Sequence, residues 1–442
     1  MAKIRPFRGL RYALAQPSDA ASLMAPPYDV IDDAGRAELA ARSEHNAIHF
    51  ILPKGEGDAK YPAGAARFRE IAGQAMQRDA EPGVYVYHQR FTVEGQTYVR
   101  KGLVALVELT RFGQGPVLAH ERTLAGPKRD RLELMRACQA HLELVFGMFS
   151  DPARAWEALL DPYRGAPVLA CTFEGVEHTL WRVHEPAALE ALVGHLADRR
   201  IYIADGHHRY ETMCAFRDEL AAAGHPDAAY GMIYLSNLDD PGLVVLPTHR
   251  LVHGLPAVDL PAVLEAVAPW FEGREVALPG DAAAMRAALA TEGPATFGLA
   301  VPGAGVVHVL RLREGFDPAA AGLGALPAAL QRLDVALLHE LVLERALHIT
   351  KAAQEAKTNL RYEKSTARTL RVAAGSSDGE GDDAVQLVCL MNAPRLDDVR
   401  AVCDSGEVMP QKSTFFYPKI PNGLVFHDLS RDLGREDQAS DA

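Results

Sequence analysis

The sequence predicts a mixed α/β (α+β) fold, and three observations carry that prediction. Ile201-Tyr202-Ile203-Ala204 is an apolar, β-branched run ending at Asp205-Gly206, after which Tyr210, Met213, Phe216 and Leu220 recur at helical spacing. Val84 to Phe91 and Tyr98 to Val107 are strand-like runs flanking Glu94-Gly95-Gln96, a hairpin signal. Helical patterns at Gly64 to Arg78 and Ala187 to Asp198 alternate with these strands. At 442 residues, 48% apolar and 24% charged, the chain is long enough for two or three domains with a sizeable core.

In chain order, Ala25-Pro26-Pro27-Tyr28-Asp29-Val30-Ile31 predicts a rigid loop, because two prolines force an extended path and an Asp can cap the next element. Ala34 to Ser43 predicts a helix and His49 to Leu52 a short strand. The polar run Ala119 to Thr123 and Gly126 to Leu132 precedes a helical pattern reaching about His141. A loop in that position is a frequent place for a site. Gly231 to Leu235 and Leu243 to Pro247 predict strands, and Leu326 to Leu347 predicts a long apolar helix. Ser376 to Asp383 reads as a solvated loop and the charged tail from Leu429 as a disordered one. These signals divide the chain into an N-terminal α/β region (1–115), a core (116–255), an inserted subdomain (256–325), a C-terminal region that completes the site (326–428) and a tail (429–442).

A net charge of −12 argues against a general nucleic-acid-binding surface, which needs a basic face. The five cysteines are scattered, odd in number and without a C-x-x-C pair, so neither a disulfide framework nor a structural zinc site is indicated. With no secretory signal at the start and no run of about 18 uncharged apolar residues, the expectation is a soluble cytoplasmic protein without a membrane partner.

Three segments hold residues that can do chemistry. In Asp205-Gly206-His207-His208-Arg209, strand end, turn and helix start coincide. Gly206 permits φ > 0, and the helix N-terminus offers N–H groups and a positive dipole end to phosphate or carboxylate. In His120-Glu121-Arg122-Thr123 the carboxylate can accept a hydroxyl proton, although a Glu beside an Arg also fits a solvated surface pair. In Met409 to Lys419, Lys412, Ser413 and Thr414 supply a point charge and two hydroxyls suited to phosphate oxygens, without P-loop spacing. The adjacent side chains of His207 and His208 diverge by about 100° on a helix, which disfavours a shared transition metal. Mg2+ brought in with a phosphate donor, through one or two carboxylates, fits better. No nucleophile motif supports covalent catalysis.

Arg5-Pro6-Phe7, Pro26-Pro27-Tyr28-Asp29-Val30, His120-Glu121-Arg122-Thr123, Ala204 to Arg209 and Met409 to Lys419 together resemble the domain-of-unknown-function family numbered 1015, from the first residues to about His427. More distantly, Asp205 to Arg209 is similar to the phosphate-handling motif of the ParB/sulfiredoxin superfamily, notably its free-serine kinases. Those kinases also carry an upstream His-Glu pair and a C-terminal Gly-Glu-Val followed by Lys-Thr/Ser-Thr. Here these are His120-Glu121, and Gly406-Glu407-Val408 followed by Lys412-Ser413-Thr414, in the same order. The resemblance implies a ParB/sulfiredoxin-like core with additional strands and helices, and a phosphoryl transfer to free L-serine or a related hydroxy compound. It implies Glu121 as general base and Asp205 as the group that positions the hydroxyl or the metal. Gly206, His207, His208 and Arg209 would hold the transferred phosphate, and Lys412, Ser413 and Thr414 phosphate or substrate carboxylate. His120, Arg122 and Thr123 would contact substrate, and the three segments would converge on one pocket. The donor stays open among ATP, ADP and pyrophosphate. A nucleotide-dependent regulatory protein and a nucleotide hydrolase without acceptor are the alternatives.

Overall fold

The computed structural model describes residues 2–123, 125–225, 228–377 and 383–430. It is mixed α/β, with several sheets and helices. The chain forms two compact units: Met1–Ala119, Thr123–Val244 and Pro418–Ala442 make the first, and His120–Arg122 and Val245–Tyr417 the second.

The first unit is built on a nine-stranded sheet. Its path runs Val117–Leu118, Ile201–Asp205, Val145–Phe149, Tyr230–Asn237, Gln96–Glu108, Val84–Val93, Val176–Val183, Leu169–Phe173, with Ile4–Arg5 added antiparallel to Gln96–Glu108. The predicted hairpin is present, pairing Val93 with Gln96 across Glu94 and Gly95, both at positive φ. Ile201–Asp205 lies parallel to Val117–Leu118 and antiparallel to Val145–Phe149. Val145, Phe149, Ile203, Ile233 and Leu235 join Tyr210, Met213 and Phe216 of the helix His207–Ala222 in one buried cluster, so the strand and the helix either side of Gly206 are fixed by the same core.

The second unit holds a six-stranded sheet in the order Phe271–Ala277, Val306–Leu312, Thr296–Ala300, Val385–Met391, His249–His253, Leu360–Glu363, antiparallel throughout. Its first three strands come from 256–325. Met285 and Leu289 of the helix Ala282–Ala290 and Leu370 and Val372 of the helix Thr366–Ala373 pack on it with Val309, Val388 and Leu390.

Three expectations are corrected. His49 lies in a short helix, Ile48–Ile51, rather than a strand. Asn46 overrides the β-like composition: its Oδ1 accepts from the Ile48 N–H at 2.9 Å, while its Nδ2 donates to the Ser22 and Met24 carbonyls. The long helix from Leu326 begins only at Asp334 and continues as a π-helix over Leu338–Ala346. Before it the chain makes successive turns held by Leu330 N–H on the Pro327 carbonyl and by the Gln331 and Arg332 side chains on the Leu326 and Phe316 carbonyls. The predicted helix Gly64 to Arg78 ends at Ala75, and Met76–Arg78 pairs with Leu10–Tyr12. Of the loop Ser376 to Asp383, residues 378–382 lie outside the described residues, as do 431–442 of the tail. Among the described residues no helix is long and apolar enough to cross a membrane.

Asp334 yields a stability prediction. Burial pushes its carboxyl up to about 6, against the opposing Ala295 N–H at 2.8 Å and the Asn392 side chain. A carboxyl whose folded pKa exceeds its unfolded value of about 3.9 costs stability progressively as pH rises between those two values. Asp334→Asn keeps an acceptor for the Ala295 N–H. It is expected to be about 1–3 kcal/mol more stable than the parent at pH 7.5 and little different at pH 4, by urea unfolding.

Candidate active site

In the first unit, Gly206 sits at φ +87° between Asp205 and His207, the conformation the turn requires. A Cβ at Gly206 would lie 2.9–3.1 Å from the Arg209 guanidinium, so the arginine side chain fills the space over the glycine. Arg209 is buried and donates to the Leu144 carbonyl and, at 2.7 Å, to Asp205 Oδ2. The other Asp205 oxygen accepts from Lys419 Nζ. Burial alone would raise the Asp205 carboxyl, but Lys419 and Arg209 outweigh it and hold the group well below the usual carboxylate range. His207 is buried at the start of the helix and His208 is partly exposed.

Lys419 is itself positioned. The Pro418 carbonyl accepts from Arg100, and the Lys419 carbonyl accepts from Gln89 Nε2 at 3.1 Å. Arg100 is wholly buried under the Phe146 ring, 4.6 Å from its centroid, which anchors this peptide to the middle of the sheet. A second layer of charge lies beyond Arg209. Arg131 bonds Glu143 at 3.2 Å and stands 4.1 Å over the Tyr28 ring, and Asn422 holds the Pro26 carbonyl at 3.0 Å. Burial, with Glu143 adding to it, pushes the Tyr28 hydroxyl up to about 12. Thr123 belongs to this unit too, where its hydroxyl donates to Glu211 and accepts from Lys128 at 3.1 Å.

In the second unit the structure brings His120, Glu121 and Arg122 beside the Lys412 segment. Glu121 forms a parallel bridge with Met409, whose N–H donates to the His120 carbonyl at 2.8 Å. The Lys412 N–H reaches Glu121 Oε1 at 3.3 Å, and His120 Nε2 meets Thr414 Oγ1 at 2.8 Å. Lys412 stands at φ +57°, a left-handed conformation that a lysine adopts only where its surroundings impose it. Ser413 is buried and its hydroxyl donates to the Pro410 carbonyl. A cavity of about 220 Å³ adjoins this segment, lined among others by Arg122, Glu340, Lys351, Glu355, Tyr362 and Met409.

Of the residues that the sequence singles out, Asp205 to Arg209 therefore lie in one unit, and His120, Glu121, Arg122 and Lys412 to Thr414 together in the other. Sequence reasoning did not single out Lys419, Arg131, Glu143, Tyr28 or Arg100. Lys419 and Tyr28 lie inside recognisable motifs, next to prolines that fix their backbone. Glu143 and Arg100 carry no local signal. As for metal, both Asp205 oxygens are occupied by cations, and the described residues contain no group of three or more His, Cys, Asp or Glu side chains that could hold an ion. These residues do not make a protein-built magnesium site.

Solved structures similar to this chain include a conserved hypothetical protein from Pyrococcus furiosus, at 14% identity and TM-score 0.32, covering 70% of this chain and 90% of that one. A free serine kinase in complex with AMP shares 13% identity at TM-score 0.33, covering 68% and 83%. A C-terminally truncated SbnI from Staphylococcus aureus shares 10% at TM-score 0.32, covering 73% and 86%. At these TM-scores the likenesses do not speak to activity. No curated protein matches the chain. The family model for DUF1015, a protein of unknown function, matches residues 4–336, and this chain belongs to that family.

Proposed function

We propose that this protein is a small-molecule phosphotransferase that moves a phosphoryl group onto the hydroxyl of free L-serine or a closely related hydroxy compound, with ATP, ADP or pyrophosphate as donor. The observation that carries the reading is Glu121: a half-buried carboxylate fixed by the Lys412 N–H, on a segment whose neighbours Arg122 and Met409 line a cavity bearing both charge signs. A zwitterionic amino acid needs such a lining, a cation for its carboxylate and a carboxylate for its ammonium. Arg122 serves the first purpose, and Glu340 or Glu355 the second. Glu121 takes the hydroxyl proton as the new O–P bond forms and the donor's bridging P–O bond breaks, the leaving phosphate or nucleotide carrying away that electron pair.

The Asp205 to Arg209 turn supports the reading through the helix that starts at His207. Phosphate oxygens are suited to the N–H groups of a first helical turn and to imidazole donors. Asp205, Arg209 and Lys419 fix that turn. In the other unit, Lys412 and Thr414 bring a cation and a hydroxyl to the segment that holds Glu121. The test is incubation of the full chain with serine and each of ATP, ADP and pyrophosphate, with and without magnesium, read by mass spectrometry. Phosphoserine from one donor is the expected result. Donor hydrolysis without phosphoserine would make the protein a hydrolase, and nucleotide binding without turnover a regulatory protein.

A further inference from the structure

The second unit contains a larger cavity, about 410 Å³, lined by Thr248, Arg250, Leu333, Val335, Met391 and Pro394 among others. Most of its wall is apolar, and among the charged residues that also line it Arg250 is the one sealed in the strand beneath. Arg250 is 1% exposed on the strand His249–His253. Its Nε donates to His339 Nε2 at 3.2 Å, one Nη to the Thr248 carbonyl and the other, at 3.4 Å, to the Lys412 carbonyl. All three partners are neutral acceptors. Burial pushes the His339 imidazole down to about 3, and its Nδ1 meets Gln354 Oε1 at 2.7 Å, so Nδ1 carries the proton and Nε2 accepts. Burial also lowers the Arg250 guanidinium to about 10, leaving it charged at neutral pH.

A buried cation is ordinarily paired with an anion, because its desolvation is otherwise uncompensated. A guanidinium has five N–H donors, and these contacts use three. The other charges of the wall do not supply the missing anion. Arg395 and Asp398 bind each other at 2.7 and 2.8 Å, and Asp334 is turned to the Ala295 N–H.

We infer that this cavity binds a small monocarboxylate with an apolar body, its carboxylate on Arg250 and its body against Leu333, Val335 and Met391. The site goes beyond the phosphotransferase reading, and its binding can be measured without turnover. The probes are hexanoate, hexanol and hexylamine, titrated into the full chain by calorimetry. Hexanoate is expected to bind, with the alcohol and the amine at least about 10-fold weaker, the scale of a lost charge-assisted hydrogen bond. Arg250→Gln is expected to weaken hexanoate by a similar factor. Because that variant alters a buried network, Ala393→Trp supplies an independent check: it fills the cavity with Arg250 intact and is expected to abolish binding. Equal affinity for hexanol and hexanoate, no hexanoate binding to the parent, or hexanoate binding unchanged in folded Ala393→Trp would overturn the inference.

Discussion

Glu121→Gln is expected to lower kcat for serine phosphorylation about 100- to 10,000-fold, the range associated with losing a general base. Donor affinity is expected to stay where it was. Gln preserves the length of the side chain and can still accept from the Lys412 N–H through Oε1, which lies at 3.3 Å in the parent. What it loses is the capacity to take a proton. The comparison to make is kcat against donor dissociation constant in the same protein. A loss confined to affinity would make Glu121 a binding group, and full activity would leave Glu121 a partly solvated carboxylate next to Arg122. The parallel bridge to Met409 guards against a trivial outcome, since it is made by backbone atoms that the substitution leaves alone.

Much of the first unit was legible because its signals are local. The apolar run Ile201 to Ala204, a glycine able to take φ > 0 and the helical spacing from Tyr210 to Leu220 each describe a few consecutive residues, and the structure has the strand, the turn at φ +87° and the helix in those places. The grouping of His120-Glu121-Arg122 with Lys412 to Thr414 came from motif order, a trace of a contact that spans almost 300 positions. What stayed hidden depends on tertiary choice. Asn46, anchored by its amide on the Ser22 and Met24 carbonyls, turns a β-like tetrapeptide into a helix by accepting the Ile48 N–H, and nothing in His49 to Leu52 announces that. The turns before Asp334 are held by the Gln331 and Arg332 side chains, which in an apolar helical pattern look like ordinary exposed positions. Arg250 was equally silent. A single arginine in a strand reads as solvent-facing until the structure shows it sealed among neutral acceptors.

The Asp205 carboxylate offers the largest expected change in stability. Each of its oxygens meets a cation, Arg209 at 2.7 Å and Lys419, and about a quarter of its side chain is exposed. Removing one partner of a fully buried ion pair typically costs about 3–5 kcal/mol, because the other charge is left uncompensated. With partial exposure, Asp205→Asn is expected to cost roughly 2–4 kcal/mol at pH 7. The pH dependence gives the result its signature. The folded-state pKa of Asp205 is depressed, so its contribution is present above the unfolded value of about 3.9 and is lost as pH falls towards the folded one. Parent and variant should therefore differ most at neutral pH and converge progressively below about pH 4, measured by urea unfolding across that range. Arg209→Gln separates charge from packing. In the double variant the two losses should fall short of additive by about 1–3 kcal/mol if the pair acts as a unit. Additive losses, or a gap between parent and Asp205→Asn that persists unchanged at about pH 3, would instead assign the effect to the hydrogen bonds and packing of the Gly206 turn, with the Asp205 charge contributing nothing to it.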